Sequence, residues 1–99
     1  MVLEITVQTP EDIESIMSSG NYEIARSIVE NILINLSTKK KHVHVISIYC
    51  EEDGEIYDLT VERKHFADTL RENLSIFEQN EDYEGCIKIT NAIEQLSKP

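Results

Sequence analysis

Asn21-Tyr22-Glu23-Ile24-Ala25 near the start of the chain returns as Asp82-Tyr83-Glu84-Gly85-Cys86 near its end. Each copy sits at the same place in a helical hydrophobic pattern. Counting back from the tyrosine, Ile16 and Ile13 match Phe77 and Leu74; counting forward, Ile28 and Ile32 match Ile89 and Ile93. Apolar residues three and four apart share one face of a helix. A capping residue directly before each tyrosine, Asn21 or Asp82, opens a new helix there. The stretch therefore predicts two similar helical hairpins within one domain, residues 1–99, carrying an internal pseudo-repeat over 3–37 and 57–97.

Outward from the first copy, Gly20 ends the preceding helix by adopting the left-handed conformation at little cost. That helix starts at Thr9-Pro10-Glu11-Asp12, where threonine can cap, proline suits the first turn and the acids favour the positive end of the dipole. Before it, Leu3, Ile5 and Val7 alternate with polar residues, the period of a strand with one buried face. The helix opened by Tyr22 is expected to run to about Thr38, with Lys39, Lys40 and Lys41 at its negative end.

From Val43 the period changes to two, and Asp53-Gly54 favours a two-residue hairpin turn. That turn would pair Cys50 with Tyr57, Ile48 with Leu59, Ile46 with Val61 and His44 with Arg63, and would place the first three pairs on one face. Val43, Val45, Tyr49 and Ile56 would then point to the other face. The order strand-helix-helix-strand-strand-helix-helix is an α+β architecture: a small antiparallel or mixed three-stranded sheet with two helical hairpins on one side. Which strand the first one joins is left open by the pattern.

The 99 residues carry 19 acidic and 9 basic side chains, a formal charge of −10. Such a surface on average repels nucleic-acid phosphates and anionic membranes, and favours basic protein partners. No apolar run reaches the roughly 20 residues that span a bilayer, and residues 1–10 lack the pattern of a signal peptide, so a cytoplasmic location is expected. The two cysteines fall on apolar positions and read as buried free thiols.

Residues 78–89, and Asp82, Tyr83, Glu84 and Cys86 in particular, resemble the UVR-type helical hairpin of nucleotide-excision-repair proteins and some adaptors. Thr90 and Asn91 stand where that family usually carries Arg-Asp. The resemblance implies a protein-docking hairpin. Through Tyr22-Glu23-Ile24-Ala25, Lys39-Lys40-Lys41-His42 and Asp58-Leu59-Thr60 the chain also looks similar to small proteins of tailed bacteriophages, which implies a host-interaction or regulatory role.

Chemistry-bearing motifs are sparse. His42 and His44, with His65 or Glu62, could be read as metal ligands, but their spacing is not that of a zinc site. Neither cysteine has a histidine placed to activate it. Lys39, Lys40, Lys41, His42, Arg63 and Lys64 form the one basic cluster and could contact phosphate; helix-end charge and a solvated loop explain them better against the opposing net charge. Acids crowded at the hairpin tip and before Tyr83 could imitate DNA, though capping and solubility favour acids there anyway. An apolar second face on the sheet asks for cover, by an identical subunit or another protein. The expectation is a non-enzymatic interaction module without cofactor or metal, a homodimer or partner-bound, docking through Val43, Val45, Tyr49 and Ile56. The alternative is nucleic-acid binding through the basic cluster.

Overall fold

The computed structural model describes residues 2–98. The elements are β1 (Leu3–Val7), α1 (Pro10–Met17), α2 (Tyr22–Leu33), β2 (His42–Cys50), β3 (Glu55–Glu62), a short 3-10 turn (Arg63–His65), α3 (Phe66–Gln79) and α4 (Tyr83–Leu96). This is the expected order, and the class is α+β. β2 is the central strand of a mixed three-stranded sheet. β1 joins β2 in parallel, Leu3 beside Ile46 and Val7 beside Cys50, and β3 joins it antiparallel.

The helices break where the turn chemistry places the breaks. Gly20 has φ 73°, and Asn21 then accepts the Ile24 N–H at 3.1 Å. In the second pair Glu81 has φ 56°, and Asp82 accepts the Gly85 N–H at 2.9 Å. At α1, Asp12 supplies the cap by accepting the Thr9 N–H at 3.2 Å. α2 ends at Leu33, earlier than Thr38, and residues 34–37 continue as turns.

α2 and α3 lie on the sheet, and α4 packs on α3 and α2 one layer farther out. Ile32, Ile46, Ile48, Phe66, Leu70 and Ile89 are fully buried in the single core. Each contributes about 1.5–3 kcal/mol relative to leaving it exposed. α1 lies against β1, and its Ile13, Ile16 and Met17 are half-buried against the core.

The strand hairpin differs from expectation in two ways. The loop holds four residues, Glu51–Gly54, because Glu51 and Glu52 donate their N–H groups to Val7 and Gln8 and are drawn toward β1. Ile48 therefore faces Tyr57 and Ile46 faces Leu59, a slip of two residues that by itself moves no side chain to the other face.

The second difference is a β-bulge between His44 and Ile46. The extra residue, Val45, turns inward together with Ile46, and Val43, opposite Val61, is inward as well. Val43 and Val45 are 3% and 2% exposed, so they belong to the core and not to the outer face. Ser27 of α2 completes the bulge. Its hydroxyl donates to the Val45 carbonyl at 2.7 Å and accepts the Leu3 N–H at 3.0 Å, satisfying groups in both strands.

Candidate functional site

The sheet has one covered face and one open face. On the open face Tyr49 and Ile56 are direct cross-strand neighbours, 43% and 65% exposed. Glu4 and Thr6 of β1 lie beside Ser47 and Tyr49, and a shallow recess of about 410 Å³ runs between these residues and Ile56. Of the four residues expected on this face, the structure keeps Tyr49 and Ile56 together and removes Val43 and Val45.

Beside that pair lies a polar cluster that sequence reasoning missed. The Ser47 hydroxyl donates to Asp58 Oδ1 at 2.8 Å, and His44 Nε2 lies 2.9 Å from that hydroxyl and 3.3 Å from Asp58 Oδ1. The same nitrogen also lies 3.0 Å from the Ile46 carbonyl oxygen. Serine, histidine and aspartate invite comparison with a hydrolase relay, in which aspartate and serine engage opposite ring nitrogens. Here both engage Nε2, so the ring cannot pass a proton from one to the other. The arrangement fixes side chains on an exposed sheet surface. Its signal in the sequence is the bulge: the apolar pair Val45-Ile46 breaks the alternation and moves His44 and Ser47 onto one side.

The basic cluster divides as well. Lys39, Lys40, Lys41 and His42 are exposed, and Lys64 pairs with Glu62 at 3.3 Å, which holds the Glu62 carboxyl below its ordinary range. Arg63 is not a free cation. Its Nε donates to the Lys40 carbonyl at 2.7 Å, and its Nη2 donates to the Asn35 and Thr38 carbonyls at 2.8 and 2.7 Å. The guanidinium also lies 5.0 Å over the Phe66 ring. Arg63 therefore ties down carbonyls of the connection between α2 and β2, and its Nε and Nη2 donors are engaged by backbone and not free for phosphate. His44, expected opposite Arg63, faces Thr60 instead.

The topology segregates charge. Chain direction places the β2–β3 loop with Glu51, Glu52 and Asp53, the α1 start with Glu11 and Asp12, and the α3–α4 turn with Glu78 and Glu81 at one end. The α2–β2 connection with Lys39, Lys40 and Lys41, and the β3–α3 connection with Lys64, lie at the other. At the acidic end the Tyr57 hydroxyl donates to Asp53, which pushes the Tyr57 phenol up to about 12 and Asp53 down. Tyr22 likewise donates to Asp82, raising Tyr22 and lowering Asp82, and its ring meets Phe77 edge-on at 5.5 Å.

Cys50 and Cys86 are both free, buried and half-buried respectively. Burial, and after it Glu78 and Asp82, pushes the Cys86 thiol up. Among the described residues no three His, Cys, Asp or Glu side chains converge as a metal site, and no helix is long and apolar enough to cross a membrane. No family model, no curated protein and no solved structure matches the chain.

Proposed function

We propose that this chain is a small acidic protein-interaction or regulatory module that acts by binding and not by chemistry, with the open sheet face around Tyr49 and Ile56 as its docking surface. The observation that carries the reading is this exposed aromatic-aliphatic pair on a sheet whose opposite face is already covered. Large apolar residues framed by polar ones are the usual anatomy of a protein interface. Glu4 and Asp58 flank the pair, so a partner with basic residues around an apolar centre fits best. A host protein is the partner that the sequence resemblance to tailed-bacteriophage proteins would imply.

Affinity capture from cells of the producing organism, run in parallel with wild type and with Tyr49→Glu and Ile56→Glu, tests this reading. Both side chains are exposed, so the variants keep the wild-type circular dichroism. The protein captured by wild type binds each variant at least about 30-fold more weakly, the effect of losing roughly 2 kcal/mol at an interface centre. Equal capture by all three rejects the open face.

A second reading is nucleic-acid contact through Lys39, Lys40, Lys41, His42 and Lys64, favoured by their gathering at one end. It predicts binding that falls steeply with salt and weakens when the three consecutive lysines are changed to alanine. Fluorescence anisotropy with labelled DNA and RNA at low salt decides it, and a flat titration ends it.

A further inference from the structure

We infer that the open edge of β3 pairs with the same edge of a second copy, antiparallel about a two-fold axis at Leu59. This goes beyond the docking surface proposed above: it uses the backbone edge of β3, where that reading uses side chains of the open face, and Ile56 borders both. β3 is an edge strand of eight residues without proline, glycine or lysine, and the bulge lies on β2. Proline, lysine and a bulge are among the devices that protect an edge from further pairing; the charges β3 does carry, Glu55, Asp58 and Glu62, restrict the register and do not block the edge.

The ladder geometry says which groups are free. Arg63 donates its backbone N–H to Lys41 on the β2 side. Alternation then turns the peptide groups of Ile56, Asp58, Thr60 and Glu62 toward the open side. On the inner face Tyr57, Leu59 and Val61 are half-buried, whereas Ile46 and Ile48 opposite them are fully buried. A groove of about 370 Å³ runs beside them, between β3 and α3.

Self-pairing must match outward peptide groups and keep inner side chains with inner ones, which leaves few registers. An axis at Asp58 sets that carboxylate against itself, and an axis at Thr60 sets Asp58 against Glu62; both juxtapose like charges. The axis at Leu59 places Tyr57 against Val61, Asp58 against Thr60, and Leu59 against its own copy. It also brings Glu55 and the acidic loop of one copy beside Lys64 at the basic end of the other. The segregated charge that opposes self-association on average favours it in this one orientation.

Sedimentation equilibrium across a concentration range tests the inference, with cysteine cross-linking to check the register. The expected result is a mass rising to twice that of the monomer, with dissociation favoured as salt is raised because the end-to-end contacts are exposed. Thr60→Pro removes an outward-facing N–H that β2 does not use, and should leave a monomer with unchanged circular dichroism. In a Cys86→Ser background, Leu59→Cys should form an intermolecular disulfide and Thr60→Cys should not, since only residue 59 meets its own copy. The cross-link decides the matter even if the proline variant fails to fold. A monomer at every concentration, a dimer that survives Thr60→Pro, or cross-linking at 60 in place of 59 overturns it. Tyr49→Glu changes partner capture without changing mass, so the two surfaces fail independently.

Discussion

Tyr22 and Tyr83 hold the same position in two copies of one sequence pattern, yet Tyr22 packs on Phe77 and bonds Asp82 while Tyr83 is 63% exposed. The difference extends along both helices. α2 buries seven residues and α4 buries three, because α2 lies between the sheet and the other helices whereas α4 is the outermost layer. Ser27, which reaches both β1 and β2, corresponds in α4 to the exposed Lys88. Ile24, buried at 4%, corresponds to Gly85. A periodic pattern specifies a helix and an inward face; how wide that face becomes depends on how many neighbours surround it.

Residues exchanged between the two copies should not be tolerated equally. A Cβ at position 85 would sit 2.6 Å from Phe77 Cε2 and 2.9 Å from Asp82 Cγ. Phe77 is buried and held by Tyr22. Gly85→Ile, the residue of the first copy, should therefore cost about 3 kcal/mol or more by overpacking, read as a fall in the urea midpoint. A midpoint within experimental error of wild type would mean that α3 and α4 do not approach this closely.

Ser27→Ala should cost about 1–3 kcal/mol, since the Val45 carbonyl and the Leu3 N–H lose their shared partner inside the fold. Lys88→Ala should change stability by less than about 0.5 kcal/mol. Equal effects in chemical denaturation would contradict the placement of α2 on the sheet and α4 outside it.

Tyr22→Phe should cost about 1 kcal/mol and Tyr83→Phe close to nothing. The pH dependence carries the same contrast. Asp82 is held below its ordinary range by the Tyr22 hydroxyl first and the Gly85 N–H second. Its contribution is therefore complete above the unfolded carboxylate pKa and is lost as pH falls through the lower folded value. Tyr22 is raised by the same bond, so its contribution is complete below about pH 10 and is lost as pH rises beyond that. Tyr22→Phe should flatten both limbs of a stability-pH curve, and Tyr83→Phe should flatten neither.

The smallest effect has the opposite sign. The two hairpin turns share a left-handed residue at the same repeat position, Gly20 in one and Glu81 in the other. Glu81→Gly should stabilise by up to about 1 kcal/mol by relieving backbone strain, and Gly20→Ala should destabilise by a similar amount. Thermal melts of the two variants should move in opposite directions.

Placement on the sheet was partly legible in the sequence. Tyr49 and Ile56 follow the simple alternation and stand where it puts them. Val43 and Val45 do not, because one inserted residue reverses which side chains point inward, and its hydrogen-bonding support comes from Ser27 on a distant helix. Arg63 reads in sequence as one more cation beside Lys64. Its donors are engaged because the carbonyls of the α2–β2 connection come within reach of its guanidinium only after the chain has folded.

The sequence alone determined the order of elements, the helix breaks at Gly20 and before Asp82, the inward face of each helix and most of that of each strand. These follow from local periodicity and backbone preference, which need no distant partner. Packing set the bulge, the parallel seat of β1, the engagement of Arg63's donors by backbone carbonyls and the gathering of opposite charges at opposite ends. Each of these depends on groups far apart in the chain, whose meeting is set by packing.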